Sequence, residues 1–282
     1  MIEVLSPGSL TTIQDLGRPG WAHLGVPPSG AADPRSLGLA NRLVGNPEGA
    51  AALEATIRGP VLRFDRAAEV ALTGAPVEAR VDNRPVAMHA VERLRAGDVL
   101  DIGLATVGAR TYLAVRGGIG AEPVLGSRST DVLSGLGPPV LAAGTRLTVE
   151  AAALAWPATE VAPVPPLSAH PVLRVTAGPR DDRFAPDALG VLCGAAWEVG
   201  SASNRVGARL SGPPLVPVYE TELESEGLVT GALEVPPSGQ PVLLLADHPT
   251  TGGYPVLAVV VSADLPVAGQ LRPGNGVAFR PA

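Results

Sequence analysis

Ser238-Gly239-Gln240-Pro241-Val242-Leu243-Leu244-Leu245-Ala246-Asp247-His248-Pro249-Thr250-Thr251-Gly252-Gly253-Tyr254-Pro255 decides the reading of this chain. The apolar run Val242 to Ala246 is bounded by breakers, which marks a short core strand. A carboxylate, an imidazole, two hydroxyls, two glycines and a phenol then follow within a few residues, before a second apolar run, Val256 to Val261, re-enters the core. A rigid strand feeding a polar loop is how binding groups are mounted on a sheet. Pro249 and Pro255 keep that loop from joining a ladder, because proline has no N–H to donate.

Working outward, the same pattern recurs. Of 282 residues, 46% are hydrophobic but only 3% aromatic, so the core is built from Val, Leu, Ala and Ile. With 34 Gly and 30 Pro, the chain is interrupted too often for long helices. The fold class is therefore mainly β. Candidate strands are Val61–Phe64, Glu69–Thr73, Val99–Ile102, Arg110–Val115 and Arg146–Glu150, then Val172–Thr176, Trp197–Val199, Leu228–Val235, Val242–Leu245, Val256–Val261 and Gly276–Phe279. A Pro-rich stretch, 157–171, reads as a linker between a β-rich half with short helices, 1–156, and a second β-rich half, 172–282. Leu94–Leu100, Leu141–Leu147 and Leu271–Val277 each set a glycine just ahead of a strand, as related corners in the two halves would. Asp33 as N-cap, Pro34 at the first position and Gly45 as terminator predict a helix over Pro34–Val44. Asn46-Pro47 predicts a second, short helix reaching Glu54 by the same logic.

Composition also excludes chemistries. All 21 basic residues are arginine, so neither a Schiff base, nor a phosphate-loop lysine, nor a biotinylated lysine is available here. A net charge of −6 with no arginine run argues against nucleic acid. His23, His89, His170 and His248 lack metal-ligand spacing, and the single Cys193 lies in an apolar segment as an inert thiol. With no signal-peptide pattern and no apolar run of about 18 residues, the sequence predicts a soluble, cytoplasmic protein.

Several polar, glycine-containing segments are candidates for chemistry. Gly126-Ser127-Arg128-Ser129-Thr130-Asp131 offers a guanidinium, hydroxyls and backbone N–H groups to an anion, or else a hydroxyl-capped turn. Ser203-Asn204-Arg205-Val206-Gly207 repeats the combination of Asn, Arg and Gly. Glu222, Glu224 and Glu226 alternate, so on an extended segment they share a face, where like charges raise a pKa.

Five segments in this order carry a family resemblance: Gln14-Asp15-Leu16-Gly17-Arg18, Pro28-Ser29-Gly30-Ala31-Ala32-Asp33, Gly126-Ser127-Arg128-Ser129-Thr130, Ser203-Asn204-Arg205-Val206-Gly207 and Asp247-His248-Pro249-Thr250-Thr251-Gly252-Gly253-Tyr254-Pro255. The chain resembles the allophanate hydrolase subunit 2 family, which includes the 5-oxoprolinase C subunit, Kip-type regulators of a sporulation kinase, and the carboxyltransferase region of urea carboxylase. The resemblance implies a cyclophilin-like β-barrel architecture, a partner of the subunit 1 (B-type) kind and an A-type partner. It further implies ATP, with Mg²⁺, in an assembled complex that opens 5-oxoproline to glutamate. The alternatives it leaves open are a regulator that sequesters a kinase inhibitor, and a carboxyltransferase component using biotin carried elsewhere. On this reading Asp247 and Glu226 are the catalytic candidates. Arg18, Ser29, Arg128, Ser129, Thr130, Asn204, Arg205, Thr250, Thr251 and Tyr254 are the substrate-binding ones, with no metal ligand assigned. Two departures stand out: Ser134–Pro139 is poorer in Gly-Gly and Gly-Arg than the family pattern, and Glu234 stands where the pattern has glutamine.

Overall fold

The computed structural model describes residues 1–218 and 223–282. It is mainly β, as the sequence predicts, and divides into two units. The first comprises Met1–Arg18, Ser29–Asp131 and Gly135–Leu167; the second comprises Pro19–Pro28, Val132–Ser134 and Ser168–Ala282.

In the first unit a seven-stranded sheet runs in the order Ile119–Gly120, Arg146–Val149, Ile2–Ser6, Val61–Phe64, Val99–Ala105, Val77–Val81, Arg84–Val86. A five-stranded sheet runs Leu10–Gln14, Ala52–Thr56, Arg110–Val115, Ala68–Gly74, Val91–Leu94. Ile2, Val4, Leu62, Phe64 and Leu100 of the first sheet share one core with Ile13, Leu53, Leu72 and Leu113 of the second. The opposite face of the five-stranded sheet presents Ala52, Ala71, Tyr112 and Ala114 to the helix Pro34–Leu43, through Leu37, Ala40 and Leu43. Three of those four sheet residues are alanine, which lets the helix approach closely. Every residue of Arg110–Val115 is therefore buried, and the strand reads as a continuous run instead of an alternation.

The helix begins as its cap predicts, with Asp33 Oδ1 accepting the Ser36 N–H at 3.0 Å. The second expected helix does not form. Residues 47–50 make only one turn, closed by Ala50 N–H to Pro47 O, and Ala52–Thr56 is the strand between Leu10–Gln14 and Arg110–Val115. Asn46 is held by Val115 O and by the Gly117 N–H, each at 2.8 Å, so its side chain serves the sheet and not a helix start.

Glu54 on that strand anchors a buried polar network. Its Oε2 accepts from Tyr112 Oη at 2.7 Å and from the Ala32 N–H at 2.9 Å, while Tyr112 Oη accepts the Asp33 N–H at 2.8 Å. Burial, then the Glu54 charge, pushes the Tyr112 phenol well above its ordinary pKa, so it stays a donor. This network fixes Ala31–Asp33 and thereby the helix start. Tyr112→Phe is expected to lose about 1–3 kcal/mol, because two buried groups are each left short of a partner. A melting temperature equal to that of the parent chain would show that the network adds nothing to stability.

The Pro-rich stretch starts against the first unit. Trp156 lies under the Arg93 and Arg116 guanidinium groups at 5.4 and 4.8 Å, and the backbone of Glu160–Ala162 pairs with that of His89–Val91.

The second unit is a closed barrel of seven strands: Val172–Ala177, Val256–Val260, Ala232–Glu234, Val242–Leu244, Gly207–Ser211, Ala196–Val199 and Gly276–Pro281. It closes through the parallel pairing of Val172–Ala177 with Gly276–Pro281. Leu173, Val175, Trp197, Val199, Leu210, Leu233, Leu243 and Phe279 belong to its core, with Trp197 Nε1 donating to Leu192 O at 2.9 Å. The expected strand Leu228–Val235 is instead two. Glu226–Gly227 pairs with Thr251–Gly252 in a separate two-stranded ribbon, and Ala232–Glu234 alone joins the barrel. Ala232, Leu244 and Val256 form a small cluster with Leu228 outside the main barrel core.

The recurring glycine corners share a geometry. Gly97, Gly144 and Gly274 all have φ between 83° and 95°. Each donates its N–H to a neighbouring strand, to Phe64 O, Val4 O and Val199 O respectively.

Candidate functional site

In the first unit, strand Leu10–Gln14 carries the buried polar residues Thr11, Thr12 and Gln14, with Asp15 following directly. A strand that hides polar side chains needs partners for all of them. Gln14 Nε2 donates to Thr12 Oγ1 at 3.0 Å and to Thr130 O at 2.8 Å. Asp15 Oδ1 accepts from the Gly17 N–H at 2.7 Å, Ser127 Oγ at 2.6 Å and Ser129 Oγ at 2.5 Å. Its Oδ2 accepts the Arg128 N–H at 2.6 Å. One carboxylate thus organises the whole 127–129 loop.

Arg18 is 1% exposed and has no carboxylate within ion-pair distance among the described residues. Its Nη2 donates to Ser129 O and its Nε to Val124 O at 3.3 Å, while Nη1 has no hydrogen-bond partner among the described residues. Gln14 Oε1 and Thr130 Oγ1 are likewise buried without partners. Ser29, at a φ of 51°, donates to Thr130 O at 3.3 Å. Gly137 closes over the Arg18 group at a φ of 84°, and a Cβ there would come within 2.0 Å of Ser129 O and 3.1 Å of Arg18 Nη2. Arg18, Ser29, Ser129 and Thr130 are therefore brought together. Arg128 joins them through its backbone only, since its guanidinium donates to Ala121 O and Glu150 Oε1, each at 2.8 Å.

The second unit holds another buried ion pair. Arg205 Nε and Nη2 reach Asp247 Oδ2 and Oδ1, each at 2.8 Å, with both side chains essentially inaccessible. Asp247 Oδ2 also accepts the Val132 N–H at 3.1 Å. This is the fork-to-fork geometry that fixes orientation most firmly. Both carboxylate oxygens are engaged, so the geometry gives Asp247 a positioning role at the head of its loop. Asn204 is exposed and caps its own turn, its Oδ1 accepting the Val206 N–H at 2.8 Å. His248 is buried, and that burial pushes its pKa below the ordinary value while its Nδ1 lies 2.7 Å from Pro249 O.

Glu226 is engaged by Arg180, whose Nε lies 3.0 Å from Oε2, and it pairs with Gly252 in the ribbon that also carries Thr251. Tyr254 is exposed, as is Thr251. Glu224 is exposed too, and Glu222 lies outside the described residues. Gln14 and Asp15 are central to the first of these clusters and are not among the site residues the sequence predicts; their visible signal is an unbroken polar stretch in a strand. Among the described residues no group of three His, Cys, Asp or Glu side chains is placed to hold a metal ion. Burial raises the pKa of the half-buried Cys193 thiol, consistent with an unreactive sulfur. No helix among the described residues is long and apolar enough to cross a membrane.

Residues 24–281 match the carboxyltransferase domain family, subdomains A and B. The chain is 36% identical to the 5-oxoprolinase C subunit of Escherichia coli K12, over 99% of this chain and 90% of that protein. It is equally 36% identical to the urea amidolyase of Lachancea kluyveri, over 99% of this chain but 17% of that protein. The crystal structure of Kluyveromyces lactis urea carboxylase superposes with a TM-score of 0.92 at 34% identity, over 99% of this chain and 27% of that one. The chain belongs to the carboxyltransferase domain family.

Proposed function

We propose that this chain is the C-type component of a 5-oxoprolinase complex, in which Arg18 receives the carboxylate of the substrate. The observation that carries the reading is the buried Arg18 guanidinium, whose Nη1 has no partner among the described residues; Gln14 Oε1 and Thr130 Oγ1, on residues joined through Gln14 Nε2 and Thr130 O, are unpartnered as well. A buried cation without a counter-ion is costly, and a carboxylate is the group that relieves it best. 5-Oxoproline carries such a carboxylate, and the carboxyl group that a carboxyltransferase moves is an anion as well, so the choice between the two sets of relatives rests on the shares of length covered, 90% of the 5-oxoprolinase C subunit against 17% of urea amidolyase.

The residues of this chain do not fit a Mg²⁺–ATP site of their own. There is no lysine, and Asp15, Asp247 and Glu226 each already accept donors from this chain. The nucleotide is therefore assigned to the A-type and B-type partners. This chain contributes recognition: Asp15 and Asp247 shape the loops, and Arg18 orients the substrate by its acid group. In such a division of labour, correct placement of a reactant is itself catalytic.

The second reading, a carboxyltransferase acting on urea, is favoured by the equal identity to urea amidolyase. Co-expression with A-type and B-type partners, followed by an assay for glutamate formed from 5-oxoproline with ATP, separates the two. Glutamate release is expected. A purified assembly that is inert toward 5-oxoproline but hydrolyses ATP on addition of urea would overturn the proposal.

A further inference from the structure

Arg18, Gln14 and Thr130 are each no more than 4% exposed, so the groups that stand without partners are also closed off from solvent. A ligand reaches them only where the surrounding chain moves. Most of it is tied down: Gln14 lies in a strand paired residue by residue with Ala52–Thr56, and Asp15 fastens the 127–129 loop through Ser127, Arg128 and Ser129. The Thr130 N–H donates to Ile13 O at 2.9 Å. Residues 135–140 are built otherwise, for none of them is buried, and residues 137–140 make no hydrogen bond to any described residue. The turn before them closes on itself, with Asp131 N–H to Leu136 O at 2.9 Å and Gly135 N–H to Asp131 O at 3.0 Å. Beyond them the chain is anchored again at the buried Leu141, whose N–H donates to Thr11 O at 3.0 Å.

We propose that residues 135–140 form a flap over Arg18, which swings about Gly135 and Gly137 to admit a carboxylate-bearing ligand to the guanidinium. Gly137 lies so close to Arg18 Nη2 and Ser129 O that a side chain there collides with the carbonyl, so the flap seats on the site by backbone contact alone. Gly135 and Gly137 have φ of 73° and 84°, a region open to glycine at little cost, and they supply the swivel. Pro138 and Pro139 have fixed φ and no N–H to donate, so they stiffen the flap without fastening it. Lifting residues 137–140 breaks no hydrogen bond among the described residues, whereas moving the 127–129 loop breaks its bonds to Asp15. A segment that is unburied and without hydrogen bonds is the kind that opens locally while the core stays folded. The proposal rests on the functional reading above for the ligand, not for the motion.

The test uses phenylglyoxal, which condenses with guanidinium groups that it can reach, and follows each arginine of the full chain by peptide mass mapping. Arg35, exposed on its helix, and Arg205, 1% exposed and paired with Asp247, set the fast and slow limits. Arg18 of the parent chain should react between them, because its reactivity scales with the fraction of time the flap stands open. Gly137→Ala sets a Cβ against Ser129 O, so the flap cannot seat. Arg18 should then react at least about tenfold faster, with Arg205 still slow and the melting temperature little changed. The double variant Pro138→Gly with Pro139→Gly keeps Gly137, loosens the flap, and should raise the Arg18 rate in the same direction. An Arg18 rate that neither variant raises overturns the proposal. So does an Arg18 that becomes reactive only together with Arg205 and a lowered melting temperature, since residues 135–140 would then be part of the packed structure. In the parent chain 5-oxoproline should protect Arg18, and 2-pyrrolidone, a lactam without a carboxylate, should not. If the rates follow the flap while 5-oxoproline gives no protection, the flap stands and the function proposed above loses its binding residue.

Discussion

Asp247→Asn is expected to destabilise the chain by about 3–5 kcal/mol, because it takes from the buried Arg205 guanidinium the carboxylate that meets its Nε and Nη2. Arg205 and Asp247 are both essentially inaccessible and are joined by two 2.8 Å hydrogen bonds. Asparagine keeps the shape but replaces one acceptor oxygen by an NH₂ group. That group would face Arg205 or the Val132 N–H, donor against donor, whichever way the amide is turned. At roughly 2–4 °C per kcal/mol for a chain of this size, the melting temperature should fall by on the order of 10 °C. The double change Arg205→Met with Asp247→Leu should recover much of the loss, since an apolar pair of similar volume removes both desolvation costs. If Asp247→Asn instead melts with the parent chain yet abolishes turnover in the assembled complex, Asp247 is catalytic and its positioning role is refuted.

That outcome also marks how far the sequence carries. The helix at Pro34–Leu43 was readable because its signals are local: an aspartate cap, a proline in the first turn and a glycine beyond the end. Arg110–Val115 and Val242–Leu244 were readable because continuous apolar runs between breakers admit few alternatives. Ala52–Thr56 was hidden by the same reasoning, since Asn46-Pro47 followed by alanines imitates a helix start. Pairing on both edges overrode that preference, and alanine proved to be the residue that seats a helix on the sheet. Gly207–Ser211 carries no strand signal in the sequence, because its arginine and glycine mask a half-buried strand.

The candidate site shows the same division. Arg205 and Asp247 both stood out by residue type and neighbouring glycines, but nothing in a separation of 42 residues announces that they bind each other. Asp15 acquires its role from Ser127, Arg128 and Ser129, more than 110 positions away. Glu150 and Ala121 O already hold the Arg128 guanidinium, whereas Arg18 is buried with its Nη1 unpartnered among the described residues. Chemistry is legible in residue types; which groups remain uncompensated is decided only by the pairing of strands.

Arg18→Met should therefore raise the KM of the assembled complex for 5-oxoproline by roughly 10–150-fold, the equivalent of about 1.5–3 kcal/mol for hydrogen bonds to a charged group. The melting temperature should move little. The variant loses donors to Val124 O and Ser129 O, but it also removes a buried cation that has no counter-ion among the described residues. Arg18→Lys should fall between the two, because an ammonium keeps the charge without the planar fork that reaches two carbonyls and a carboxylate together. Binding of 2-pyrrolidone supplies the control, since it lacks the acid group and should be insensitive to either change. A carboxylate role predicts that the parent complex prefers 5-oxoproline to pyrrolidone and that Arg18→Met erases the preference. A role confined to fastening the 127–129 loop predicts that both ligands weaken together, with a lower melting temperature. An Arg18→Met complex that keeps its KM for 5-oxoproline would remove the observation on which the proposed function rests.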